Sequence, residues 1–259
     1  MPRYTKFDKT REDPFPISRT GIDQFLRDPR TFVLQRKHGL KPPSMVPLTL
    51  AVATDHLLKN EFDGYRERQS SEHPIFNKYG LQVVPHQHTE IEDWRNNFKG
   101  IRYLDEVTNL EVFGAVDDVW EDINSKKLYI VDYKSTSKKG DPDIETGWGA
   151  SYKRQMEVYQ WLFRKNEFPV SNTGYFLYVN GIKGDNDFYS DHQGYEDVGF
   201  MEFKTTLISY TGSSDWVSDT LMSIKEALMD DKLPPPNESW DDNRYFYERL
   251  QLERDLGEI

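Results

Sequence analysis

Over roughly the first 70 residues the apolar positions recur three and four apart, the spacing of helices with one buried face. "ISRTGIDQFLRDPRTFVLQRKHG" predicts a helix pair, with Thr20 placed to cap the first helix, Asp23 three residues on, and Pro29 ending or restarting the run. "LAVATDHLLKNEFDGYRER" predicts a further helix whose Leu50, Ala53, Leu57 and Leu58 form a stripe, with His56 beside it. LQVVP at residues 81–85 reads as a short strand and residues 90–98 as a helical turn. From Gly100 the period falls to two, and "GIRYLDEV", "LEVFGAVDDVW" and "KLYIVDYKS" predict an antiparallel meander. "WGASYKRQMEVYQWLFRK" returns to helical spacing, with Tyr152, Gln155, Met156, Tyr159, Leu162 and Phe163 on one face. "NTGYFLYVNG" and "YEDVGFMEFK" predict two more strands, and "SDWVSDTLMSIKEALMD" a last long helix. Three prolines preclude helix in the tail "KLPPPNESWDD". The order helix, strands, helix, strands predicts a single α/β domain over residues 1–259 with a mixed sheet, an N-terminal helical part at about 17–70 and a C-terminal tail at about 232–259.

Composition narrows the chemistry. A chain of 259 residues with 14% aromatics can fill a substantial core. No apolar run approaches the roughly 18 residues of a membrane span, and the N-terminal MPRYTKFDKTRED has no apolar signal region, so no membrane partner and a cytoplasmic location are expected. The absence of cysteine excludes disulfides, thiolate metal sites, cysteine-ligated iron–sulfur clusters and cysteine nucleophiles together. Any metal must therefore be held by oxygen and imidazole. The formal net charge of −11 argues against a general basic coat for nucleic acid, but the charge is uneven. Residues 1–41 hold ten Lys and Arg against five acids, and residues 126–165 hold nine against five.

The second basic segment contains Lys134, which lies in a hairpin, "GAVDDVWEDINSKKLYIVDYKST", with charges in strands that otherwise read as core. A turn centred between Asn124 and Ser125 would oppose Val119 to Ile130, Asp117 to Asp132 and Ala115 to Lys134, leaving room at Ala115 for the lysine. Side chains alternate along a strand, so Asp117, Asp132 and Lys134 would share one face and Asp118, Val131 and Tyr133 the other, where Asp118 is structural or solvated. A one-residue slip would exchange the faces and make Asp118 the functional acid. Directly opposed Cβ atoms lie roughly 4.5–5.5 Å apart, where two carboxylates repel unless they share a cation. With the Tyr133 main-chain carbonyl they form a hard-oxygen site suited to Mg²⁺ or Mn²⁺, and a neighbouring lysine suits hydrolysis of a phosphodiester.

"GAVDDV" and "YIVDYKS" resemble the motif strands of the PD-(D/E)XK nuclease superfamily, in particular its RecB-type exonuclease branch, and "RQMEVY" is similar to that branch's Q-x-x-x-Y helix through Gln155 and Tyr159. The opening "ISRTGIDQFLRDPRTF" resembles the branch's first helix with Asp28 where iron–sulfur members carry cysteine, and "PPPNESWDDNRYFYERL" its C-terminal cluster without the cysteines. The resemblance implies a restriction-endonuclease-like core in which a central mixed sheet with a site-bearing antiparallel hairpin is flanked by helices. It implies a metal-dependent deoxyribonuclease, an exonuclease, using Mg²⁺ or Mn²⁺ and no iron–sulfur cluster. By the same resemblance His56, Asp117, Asp132 and the Tyr133 carbonyl hold the metal, Lys134 is the base or orienting group, and Gln155 and Tyr159 complete the catalytic set. Histidine among the ligands tilts the preference toward Mn²⁺. DNA, as single strands or duplex ends, is the expected partner, with a helicase or recombination protein as a further one. His86 and His88 in "PHQHTE" are a second candidate metal pair, and Trp148, Tyr152 and Trp161 could stack bases or simply pack. The alternatives are a non-catalytic nucleic-acid-binding or assembly subunit that keeps the nuclease fold, and a hydrolase of a small phosphorylated substrate, for which no glycine-rich phosphate loop or G-x-S-x-G is present.

Overall fold

The structure, a computed structural model, describes residues 6–39, 48–183, 200–235, 251, 254 and 257. In chain order the first elements are β1 (Phe15–Ser18), α1 (Arg19–Arg27), α2 (Pro29–Val33), a π-helical turn (Leu34–His38), α3 (Thr49–Arg68), α4 (Pro74–Tyr79), β2 (Val83–Pro85) and α5 (Ile91–Trp94). They are followed by β3 (Ile101–Asp105), β4 (Leu110–Gly114), β5 (Asp118–Asp122), β6 (Leu128–Thr136), α6 (Gly149–Lys165), β7 (Thr173–Gly181), β8 (Phe203–Thr211) and α7 (Trp216–Met229). No helix among the described residues is long and apolar enough to cross a membrane. Contacts divide the chain into two compact units, one of residues 1–46, 102–113 and 215–259, the other of 47–101 and 114–214.

The first unit has a three-stranded sheet in the order β1-β4-β3, with β1 parallel to β4 through Ser18↔Phe113. Because the strand holds to Ser18, the helix begins at Arg19 and its cap is Ser18, whose Oγ accepts the Gly21 N–H at 3.1 Å, rather than Thr20. Pro29 does restart the helix: it opens α2, which Asp28 caps through Thr31 N–H at 3.2 Å.

The second unit has a five-stranded mixed sheet in the order β2-β5-β6-β7-β8, antiparallel except for the parallel β6–β7 pair. With helices against it, this is the mixed α/β fold expected of a restriction-endonuclease-like core. One face is filled by Phe62 of α3 and by Ile75 and Phe76 of α4 against Val83, Trp120, Val131, Tyr133, Tyr175, Leu177 and Leu207. The other is met by α6, where Tyr152 lies 6.3 Å from the Phe176 ring. Gly149 lets α6 start tight against the preceding loop, since a Cβ there would overlap the Ile144 carbonyl.

Three expectations change. "LEVFGAVDDVW" is not one strand of a meander: it breaks after Gly114, Val116 N donates to Trp94 O at 3.1 Å, and β4 and β5 lie in different sheets. The strand expected in "YEDVGFMEFK" lies partly outside the described residues, and β8 is Phe203–Thr211, matched residue for residue to β7 from Thr173↔Thr211 to Gly181↔Phe203. The β-branched residues Thr205, Thr206 and Ile208 suit that pairing better than the glycine and acids before them. Third, α3 does not bury the stripe through Leu50 and Leu57, which are 60% and 65% exposed; it buries Thr54, Phe62 and Arg66. Most of the predicted tail, residues 236–250 among it, falls outside the described residues.

Candidate active site

The β5–β6 ladder pairs Asp118↔Val131, Val119↔Ile130, Trp120↔Tyr129 and Glu121↔Leu128, the register expected of a turn between Asn124 and Ser125. Alternation then sends Asp132 toward α6 and Val131 and Tyr133 into the α3 and α4 core. The ladder stops at Asp118, so Ala115 does not oppose Lys134, which instead pairs with Tyr178 of β7. Asp117 lies just before the ladder, and its Oδ2 accepts the Tyr133 N–H at 2.8 Å.

Asp132 is fully buried. Its Oδ1 accepts from Gln155 Nε2 at 2.6 Å, and Oδ2 has no partner beyond its ion pair with the Lys134 ammonium. Gln155 also reaches Lys134 Nζ through Oε1 at 3.4 Å and Tyr159 OH through Nε2 at 3.2 Å. An amide has one accepting and one donating end, so this orientation alone serves a carboxylate and an ammonium together. Helical i, i+4 spacing puts Tyr159 behind Gln155, which explains the Q-x-x-x-Y pattern physically. The Lys134 Nζ also sits 4.5 Å from the Tyr152 ring centroid.

The electrostatics set the two acids against each other. Asp117, its side chain 25% exposed, has its carboxyl pushed up to about 7 by burial, then by the charges of Asp132 and Asp55, against the opposing pull of Lys134 and Lys59. Burial works against the Lys134 ammonium, but Asp132 and Asp117 outweigh it and hold its pKa above the ordinary value. Three carboxylates, Asp55, Asp117 and Asp132, meet two lysines, Lys59 and Lys134, so the site is short of positive charge.

From α3, Lys59 Nζ comes within 3.8 Å of Asp117 and within 2.9 Å of Asp55. His56 does not come to the carboxylates: it is exposed, and its Nε2 lies 3.2 Å from Asn60 Nδ2. The helix turns the face of residues 55, 59, 62 and 66 inward, so the charge that α3 sets against Asp117 comes from Asp55 and Lys59. Asp55 and Lys59 are the residues that sequence reasoning missed; their i, i+4 pairing, in phase with Phe62 and Arg66, was the available signal.

Asp118 takes the opposite role from Asp117. Fully buried, it accepts from Val119 N at 2.8 Å, Tyr133 OH at 2.9 Å, Trp120 Nε1 at 3.2 Å and Arg95 Nη2 at 3.3 Å, and is ion-paired to Arg66. Every lone pair is engaged, so it is structural. His86 and His88 do not form an open metal pair: His86 Nδ1 is 2.8 Å from Glu121 Oε2, and His88 stacks on Trp94 at 4.4 Å. Trp161 is buried, with Lys165 Nζ 5.6 Å from its ring centroid, whereas Trp148 is largely exposed.

A divalent cation fits the donor set. Among the described residues no three His, Asp or Glu are gathered into a complete shell, but Mg²⁺ commonly takes only one or two carboxylates and keeps water or substrate oxygens elsewhere. Asp117 and the Asp132 Oδ2 that only Lys134 meets supply that pair.

Comparison with curated proteins gives no match. The model of one family, the PD-(D/E)XK nuclease superfamily, matches residues 34–207, from the π-helical turn to the middle of β8. Because that match covers about two thirds of the 259 residues and takes in β2, β5, β6, β7 and the first part of β8 of the sheet that bears the paired acids, the chain belongs to the PD-(D/E)XK nuclease superfamily, whose members are generally nucleases that use divalent metals such as Mg²⁺.

Proposed function

We propose that the chain is a divalent-metal-dependent deoxyribonuclease of the RecB-type exonuclease branch, without an iron–sulfur cluster. The observation that carries this is the juxtaposition of Asp117 and Asp132 with Lys134, which Gln155 orients. Asp117, Asp132 and the Tyr133 carbonyl would hold the ion, with Asp55 in the α3 position expected of His56. When bound, the ion supplies the Lewis acid that polarises the scissile phosphate and makes water nucleophilic near neutral pH. Lys134 holds its proton in this surrounding, so its part is to donate to the phosphate and stabilise charge that develops there, rather than to act as the base. Gln155 fixes the lysine and Asp132 relative to one another, and Tyr159 fixes Gln155. With oxygen donors in place of the histidine, the preference moves from Mn²⁺ back to Mg²⁺.

The exonuclease assignment rests on the likeness of "GAVDDV", "YIVDYKS" and "RQMEVY" to that branch. Purified protein incubated with labelled linear and circular DNA in Mg²⁺, Mn²⁺ or EDTA tests it. Linear DNA should be degraded from its ends only when metal is present, and circles should survive. Cutting of circles would make it an endonuclease, and no cleavage in any condition would leave a binding module.

A further inference from the structure

Asp117 is reached from both faces of the five-stranded sheet. Its Oδ2 accepts the Tyr133 main-chain N–H at 2.8 Å, and the main-chain N–H groups of a strand lie in the plane of the sheet, so this carboxylate sits at the level of the sheet itself. The charges of Asp132 and Lys134 act on it from the α6 face. From the other face α3, whose Phe62 packs with Val131 and Tyr133, brings Asp55 and Lys59. The two acid–lysine pairs are not alike. Asp132 is fully buried, and Lys134 is held besides by the Gln155 amide and the Tyr152 ring. Lys59 is held by carboxylates: its Nζ lies 2.9 Å from Asp55 Oδ2, one helical turn back, and 3.8 Å from Asp117 Oδ1, and its side chain is 22% exposed.

We propose that Lys59 is a built-in monovalent cation that holds the position between Asp55 and Asp117 which a second divalent ion would need, so that the site takes a single ion; the proposal rests on the nuclease assignment above. Two-metal sites hold their ions about 3.5–4 Å apart. At that separation one carboxylate has to serve both ions, and Asp117 is the acid placed to be shared, with Asp132 beyond it on the α6 side and Asp55 on the α3 side. On the α3 side an ammonium already stands within reach of both acids. Being tethered to the helix, it is present at every metal concentration, and an ion must displace it to enter. Charge balance gives the same answer. Three ionised carboxylates against two ammoniums leave one net negative charge, which one divalent ion turns into one net positive charge and a second would raise by two more. With a neutral residue at position 59 the first ion brings the site only to neutrality, and a second meets no ammonium. Asp55 serves the single-ion site by neutralising Lys59, which would otherwise face the ion unopposed.

The test counts Mn²⁺ ions bound per chain, by titration calorimetry and by the paramagnetic resonance of the free ion, without DNA. It compares the full chain with Lys59→Met, which keeps an unbranched stem and removes the charge, and with Lys59→Arg, which keeps a cation. The unaltered chain and Lys59→Arg should bind one ion each and Lys59→Met two. The first ion in Lys59→Met should bind at least about tenfold tighter, since a unit charge a few ångströms from a divalent ion is worth that factor even at the dielectric of water. Circular-dichroism melts in EDTA check the fold, and Lys59→Gln repeats the count with a second neutral side chain. Two ions in the unaltered chain or in Lys59→Arg, or one ion in both neutral variants, overturns the role given to Lys59, and the count on the unaltered chain stands whether or not a variant folds. No ion bound by any of these proteins overturns both this proposal and the metal-dependent assignment. Cleavage of labelled DNA is measured separately on the unaltered chain: cleavage together with two bound ions sinks the role of Lys59 alone, and the expected counts without cleavage sink the nuclease assignment alone.

Discussion

Replacing Asp117 by Asn should stabilise the metal-free protein while destroying its activity. The side chain sits beside the fully buried Asp132, and its carboxyl is raised from 3.8 to about 7. A native pKa above the unfolded one means that the native state retains a proton that the unfolded chain has lost between about pH 4 and 7. The resulting penalty is absent below about pH 4, grows as pH rises, and is complete above about pH 7. Its full size, from the interval between those values, is at most about 4 kcal/mol. Asn is isosteric and its Oδ1 can still accept the Tyr133 N–H, so the substitution removes the repulsion without removing the anchor. In EDTA at about pH 8 the variant should melt higher, on the order of 10 °C at the upper limit for a chain of this size, and at about pH 4 the two proteins should melt together. Mg²⁺ should raise the melting temperature of the unaltered protein and leave the variant nearly unmoved, since the ion and the Asn relieve the same repulsion. Thermal melts followed by circular dichroism in EDTA and in Mg²⁺ decide the matter. If Asp117→Asn melts no higher at about pH 8, or gains as much at about pH 4, the account of two acids awaiting a cation is wrong.

Lys134→Ala should lower the cleavage rate by about 10²–10³-fold, the loss typical of a preorganised donor, without weakening Mg²⁺ affinity measured by calorimetry; wild-type turnover would refute its assigned role. Asp118→Asn should act opposite to its neighbour, destabilising by about 3–5 kcal/mol in urea unfolding because Arg66 and Arg95 lose their buried counter-charge, and a neutral result would show the network to be dispensable. His56→Ala should leave Mg²⁺ affinity essentially unchanged, whereas Asp55→Ala weakens it about 10-fold or more; the reverse order in titration calorimetry would return the histidine to the site.

Local rules made much of the site readable in advance. The β5–β6 register followed from a short polar turn and a side-chain period of two, and once it was set, Asp132 and Lys134 had to share a face and Asp118 had to leave it. That Gln155 and Tyr159 share one face followed from helical spacing, which is equally local, while their place in the site came from the family resemblance. The want of cysteine ruled out whole classes of chemistry without any fold. What stayed hidden depended on partners far along the chain. Nothing near Asp118 announces that Arg66, 52 residues before it, will neutralise it. The face that α3 buries was misjudged because Leu50 and Leu57 have the right spacing for a core stripe; it is the aromatic group of Phe76, Trp120 and Tyr133, gathered from three other elements, that draws in Phe62 and with it Asp55 and Lys59 instead of His56. Hydrophobic periodicity gives a helix its two sides, but which side is buried is decided by the surface it meets, and that surface exists only once distant strands have paired.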